Sequence, residues 1–290
     1  MTRFRHFLAI DWSGAKGARQ KGIALAIADA DGGPPVLVRH GWSRQDVFHV
    51  VREELPPDTL VGLDLGIALP FADCGGFFPG WSSSPSDAPA LWALIDDIAG
   101  DEPNLGANAA VDHPALRPYF RHGVDTGTHF RCDGALHGRG RFRVTEHAQA
   151  AMGCKPYSNF NLVGAAQVGK SSLTGMRMLH RLRGHLPVWP VDPLPARGSA
   201  VVEIYTSLAA LDAGRRPSRA KMRTIEELNE ALAALGSPPV AGGGEIDDHS
   251  SDALLAAAWL RAVSPDPRRW NPTGLTPDIA RTEGWTFGAL

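Results

Sequence analysis

Five acidic residues stand where their carboxylates could do chemistry. Asp11 closes the apolar run Phe7-Leu-Ala-Ile-Asp11, and Asp64 lies near the end of Leu60-Val-Gly-Leu-Asp-Leu65. Two such strands running parallel as neighbours, about 4.8 Å apart, project both carboxylates from one sheet edge, and open α/β sheets place ligands at that edge. Ile246-Asp-Asp-His-Ser-Ser-Asp252 adds Asp248 and Asp252, four residues apart and so on one face of a helix near its N-terminus. Glu203 interrupts the apolar run Ala200-Val-Val-Glu-Ile-Tyr205, where a buried carboxylate needs a partner. Carboxylates without a matching cluster of cysteines or histidines suit a hard cation, Mg²⁺ or Mn²⁺, better than zinc. Paired ions about 4 Å apart can activate water and stabilise the leaving oxygen of a phosphodiester. The chemistry expected is metal-assisted hydrolysis, with Asp11, Asp64, Asp248 (or its neighbour Asp247) and Asp252 as metal ligands and Glu203 as a further catalytic member. Next to them, His249 offers a proton-transfer or substrate-binding group. Ser13 and Lys16, in Asp11-Trp-Ser-Gly-Ala-Lys-Gly17, offer loop N–H groups and a charge to a substrate phosphate. Each acid also has a plainer reading: a turn for Asp11 and Asp64, a helix cap or dipole partner for Asp247 and Asp248, a salt bridge for Glu203.

The elements that would position these residues follow from patterning. Phe7 to Asp11, Gly22 to Ala28 and Pro35 to Trp42 read as three strands, with Asp31-Gly32-Gly33 as a hairpin between the second and third. Short connections make them antiparallel. Ser43 caps a helix from about Arg44 to Glu54, which lets the strand Leu60 to Leu65 return parallel by a crossover. Residues from about 70 to 150, rich in Gly, Pro and Ser, read as a large insertion with one helix near Ala88 to Ala99. A helical run from Val163 to Arg183, strands at Val188 to Val191 and Ala200 to Tyr205, and helices at Ile225 to Leu235 and Ser250 to Val263 follow. The tail from about 265 reads as irregular. The sum is one α/β domain over residues 1–290.

The chain has 290 residues, 43% hydrophobic and 21% charged, with a net charge of −2. These are proportions of a globular protein with a large core and without a global basic excess, so any nucleic acid must be held by local patches. The three cysteines are widely spaced, with no Cys-x-x-Cys pair, which suggests neither a disulfide framework nor a zinc site and points to a reducing cytoplasm. No apolar run approaches the roughly 18 residues of a membrane span, and no export signal is read at the N-terminus.

Taken together, Leu-Ala-Ile-Asp11, the three strands and helix, Val-Gly-Leu-Asp64-Leu-Gly-Ile-Ala-Leu-Pro70, Val-Val-Glu203-Ile-Tyr and Asp247-Asp-His-Ser-Ser-Asp252-Ala-Leu resemble domain-of-unknown-function family 429, predicted nucleases with an RNase H-like fold. The similarity spans Phe7 to about Val263. It implies a mixed five-stranded sheet with the first strand central, flanked by helices, and metal-binding acids at Asp11, Asp64 and the last helix. Where members of the family often have a proline after the Glu-Val-Tyr element, this chain has Thr206.

Three other readings compete. Gly164-Ala-Ala-Gln-Val-Gly-Lys-Ser171 matches the phosphate-loop pattern, which would make the chain a nucleotide-binding or phosphotransfer protein, although no clear strand precedes it. The loop after Asp11 also looks like the first phosphate loop of actin-like sugar kinases, which need two related domains. Finally, six arginines from Arg117 to Arg143, interleaved with Tyr119, Phe120, Phe130 and Phe142, could track a nucleic-acid backbone while the rings stack on bases, with or without catalysis.

Overall fold

A computed structural model describes residues 3–38, 41–133, 138–164, 168–215 and 221–290. Strand β1 (His6–Asp11) pairs antiparallel with β2 (Ala24–Asp29), which pairs antiparallel with β3 (Val36–Val38). Helix α1 (Arg44–His49) starts at a reciprocal cap in which the Ser43 hydroxyl accepts from Asp46 N–H and the Asp46 carboxylate accepts from Ser43 N–H. It runs into a π-helical turn, Val50–Glu54, and the chain returns as β4 (Thr59–Asp64), parallel to β1.

The insertion then builds α2 (Ala88–Ala99), α3 (Asn108–Asp112), the two-residue strands β5 (Arg121–His122) and β6 (Asp125–Thr126), and α4 (Val144–Ala151). Helix α5 (Val168–Leu182) leads to β7 (Val188–Trp189) and β8 (Ala200–Glu203), and the chain closes with α6 (Thr206–Asp212), α7 (Ile225–Ala234), α8 (Asp248–Val263) and α9 (Pro277–Thr282). The main sheet runs β3-β2-β1-β4-β8-β7, antiparallel over the first three strands and parallel beyond. It has six strands where the family resemblance implies five: the strand read at Val188 to Val191 forms as the short β7, which buries Val188 and Trp189 and adds to the far side of β8.

Strand alternation divides the core in two. Phe7, Ala9, Leu60, Ala200 and Val202 face α6, α7 and α8; Leu8, Ile10, Val61, Leu63 and Val201 face α1, α2 and α5. Helix α8 lies close on β1 and β2 because its sheet side is alanine, with Ala253, Ala256, Ala257 and Ala258 all buried. Gly62 admits it further, since a Cβ there would stand 2.8 Å from the Leu260 side chain.

The tail, expected irregular, carries α9, and beyond it Trp285, Phe287 and Ala289 are buried and Phe287 N–H donates to the Glu203 carbonyl at 2.8 Å. The insertion carries core, as Phe77, Phe78, Leu91, Trp92 and Ile95 join one apolar layer with Leu8 and Leu63. Its Gly and Pro content concealed this, because those residues turn the chain between short apolar anchors. Cys154 is free, but Cys74 and Cys132 form a disulfide, where the spacing of the cysteines suggests no disulfide framework. Their sequence separation of 58 carries no pairing signal until the insertion folds back on itself. Among the described residues no helix is long and apolar enough to cross a membrane.

Candidate functional site

Asp11 and Asp64 are direct partners in the β1–β4 register, so their side chains leave the same end of the sheet on the same face. That face is covered by α8, which begins beside them. Its N-cap is Asp247, whose carboxylate accepts from Ser250 N–H at 2.9 Å and from the Ser250 hydroxyl at 2.7 Å. Asp248 is ion-paired with Lys221. His249 places Nδ1 2.7 Å from Asp11 Oδ2. Asp252, one turn on, reaches the interior of the cleft. The Thr206 hydroxyl, at the start of α6, donates to Asp64 Oδ2 at 3.2 Å.

The electrostatics single out three of these groups. Burial, and after it the charges of Asp11 and Asp252, hold the Asp64 carboxyl well above the usual carboxylate range. Burial followed by Asp11 and Asp248 pushes Asp252 up to about 7. Burial also raises Asp11, opposed by His249, and the hydrogen bond that the His249 ring donates to Asp11 in turn raises His249. Neither Asp64 nor Asp252 has an ion-pair partner among the described residues; Thr206 at Asp64, and Lys221 and His249 at Asp252, offset the burial and repulsion only in part. Their oxygens stand apart: among the described residues, three candidate ligand atoms lie within 4.8 Å of one another only at Asp73, Cys74 and Cys132. There the cysteines are bonded to each other and Asp73 receives Arg141 at 2.7 Å.

Glu203 goes elsewhere. It pairs in register with Leu63, one residue out of phase with Asp64, and therefore projects from the opposite face. Both its oxygens are taken, by Arg143 at 2.5 and 2.8 Å, by Ile67 N–H at 2.8 Å and by the Thr286 hydroxyl. Arg143 is completed by Glu146 at 2.7 Å. This is the salt-bridge alternative for Glu203.

The acids line a cleft of about 1240 Å³ whose other walls carry Ser13, Lys170, Ser171, Arg215, Lys221 and Arg223. Ser13 belongs to the β1–β2 loop, which is fastened to α5: Trp12 Nε1 donates to Thr174 Oγ1 at 3.0 Å, and Gly14 N–H to Ser171 Oγ at 3.2 Å. Lys170 is the lysine of the Gly-Lys-Ser motif read in the sequence as a possible phosphate loop. Residues 165–167 of that motif lie outside the described residues. The segment before it carries only an isolated bridge, Asn161 to Arg121, where a phosphate loop of the nucleotide-binding kind follows a buried strand.

The basic insertion is corrected in part. Arg141 and Arg143 are fully buried in ion pairs, and Tyr119, Phe120, Phe130 and Phe142 are buried, so these rings are core and present no stacking surface. Arg117, Arg121, Arg131 and Arg139 are exposed. Comparison with protein-family models, with curated proteins and with solved structures returned no match for the chain.

Proposed function

We propose that the protein is a divalent-cation-dependent phosphodiester hydrolase, a nuclease of RNase H-like fold. The observation that carries the reading is the gathering of Asp64 and Asp252 beside Asp11 with no ion-pair partner for either among the described residues. Three half-buried carboxylates that repel one another, in a cleft whose walls also carry Lys170, Arg215, Lys221 and Arg223, suit a cation between them and a phosphate against it. The sheet order, with β1 between an antiparallel and a parallel neighbour, agrees with the resemblance to family 429.

Asp11, Asp64 and Asp252 are the residues that would hold Mg²⁺ or Mn²⁺, with Asp248 available on release from Lys221. Such an ion supplies a Lewis acid for the phosphoryl oxygen and lowers the pKa of a bound water. The protein's own groups do the rest. Asp11 fixes the His249 ring through Nδ1 and leaves Nε2 to exchange a proton in the cleft. Thr206 holds one Asp64 oxygen in place. Lys170, Arg215 and Arg223 supply positive charge for the phosphates of a nucleic-acid strand.

Calorimetric titration with Mn²⁺ tests the site: wild type is expected to bind, and Asp11→Asn and Asp64→Asn to lose at least tenfold in affinity. Equal affinity in all three proteins would remove the site. Incubation with single-stranded, duplex and branched DNA and RNA tests the reaction, and metal binding without cleavage of any of them would retain the site and refute the nuclease.

A further inference from the structure

Beside the main cleft, and sharing Gly14, Ala15 and Lys170 with it, lies a side chamber of about 70 Å³ that the hydrolytic reading touches only through Lys170. Three cations line it: Lys16 from the β1–β2 loop, Lys170 from the first turn of α5 and Arg44 from the first turn of α1. Among the described residues none of the three is ion-paired to a carboxylate.

Arg44 is only 3% exposed. It donates through Nε to the Asn104 carbonyl at 2.6 Å and through Nη1 to the carbonyls of Ser13 and Ala15 at 3.0 and 2.9 Å. Those neutral acceptors leave its charge unbalanced, and Nη2 donates to none of the described residues. Burial and then Lys16 lower the Lys170 ammonium; burial and then Arg177 lower Arg44. The first turn of α5 holds no acid, so Lys170 also opposes the positive end of its own helix. His122, Asn108 and Thr174 complete the neutral polar lining, and the one acid, Asp112, is exposed. Like charges gathered at such a cost without a partner call for an anion.

We infer that this chamber is an anion subsite that takes a phosphate group, held by Lys16, Lys170 and the free Nη2 of Arg44. It requires no divalent ion and stands whether or not the neighbouring acids hydrolyse anything. If they do, it seats a phosphate adjacent to the one cleaved. The phosphate could be internal to a strand or terminal.

The test is calorimetric titration of the full chain with inorganic phosphate in EDTA at low ionic strength, where no metal chemistry contributes. Wild type is expected to show saturable binding. Lys16→Gln/Lys170→Gln should weaken it at least tenfold, and Lys155→Gln, an exposed lysine away from the chamber, should not. Lys16 is itself exposed, so Lys16→Gln alone carries the test should the double variant misfold, with a several-fold loss expected. A second arm compares a dinucleotide with and without a 5′-phosphate: tighter binding of the phosphorylated form, lost in the variant, assigns a terminal group, and equal binding of both, lost in the variant, assigns an internal one. No saturable phosphate binding to wild type, or unchanged affinity in the lysine variants, would overturn the subsite. Loss of Mn²⁺ binding or of cleavage would bear only on the hydrolase.

Discussion

Asp252 shows what a residue gives up to serve a site. Its carboxyl is held at about 7 against a usual 3.8, chiefly by burial and then by Asp11 and Asp248. Folded protein therefore keeps a proton that unfolded chain releases above pH 4, and stability falls as pH rises from about 4 to about 7. The neutral isostere has no such loss. Asp252→Asn should therefore be the more stable protein in EDTA at pH 8, by up to about 4 kcal/mol and several degrees of melting temperature. The gap should close on acidification to pH 4. Saturating Mn²⁺ should narrow or reverse the order, because ligand binding stabilises only the protein that retains the site. Melting curves across pH 4–8, with and without Mn²⁺, read both effects, and a gap constant with pH would contradict the assignment. Arg143 is the opposite case, a cation that stabilises by being matched. Arg143→Ala leaves Glu146 and Glu203 buried and facing each other, and a loss of about 3–5 kcal/mol in denaturant unfolding is expected. A loss under 1 kcal/mol would mean that water replaces the guanidinium.

At the scale of elements, the site depends on close approaches that small residues permit. The β1–β2 loop crosses the start of α5 at Gly14, where a Cβ would stand 2.3 Å from the Lys170 carbonyl carbon. Gly14→Ala must part the loop from the helix, at a cost of about 1–3 kcal/mol. It should also weaken phosphate binding, by moving Lys16 from Lys170, more than it weakens Mn²⁺ binding at Asp11. Chemical denaturation and the two titrations check this, and equal losses in both ligands would argue for general disorder of the sheet edge. Strand phase acts at the same scale. Asp64 and Glu203 end adjacent parallel strands, but one step of register sends them to opposite faces, Asp64 towards Asp11 and Asp252 and Glu203 into an ion-pair network at the wall of the same cleft.

Across the whole molecule, the Glu203 network joins three distant pieces of chain. Arg143 and Glu146 come from the insertion, Glu203 from the sheet, and Thr286 from the C-terminal tail, while Glu283 accepts from the N–H groups of Phe71, Ala72 and Val144. The insertion and tail are thus tied to the sheet end that bears Asp64. Removing residues 284–290 withdraws Trp285 and Phe287 from the core as well as Thr286 from Glu203. Chain lacking them is expected to melt well below the full protein, and an unchanged melting temperature would show that this packing contributes little.

The sequence by itself determined the strand-turn-strand start, the crossover to β4, α2 to the residue, and the meeting of Asp11 with Asp64, because these depend on local periodicity and on short connections that allow one topology. It also placed Asp252 on the helix that lies over them. What only the tertiary structure decided are matters of partner and phase. Asp248 went to Lys221 and Glu203 to Arg143, and the arginines and rings of the insertion divided between buried pairs, core and surface. Cys74 found Cys132, and Lys170 came beside Lys16 and Arg44. Each of these depends on segments far apart in the chain being brought to contact distance, and on which face a side chain leaves its strand. A linear pattern of residue types does not specify either.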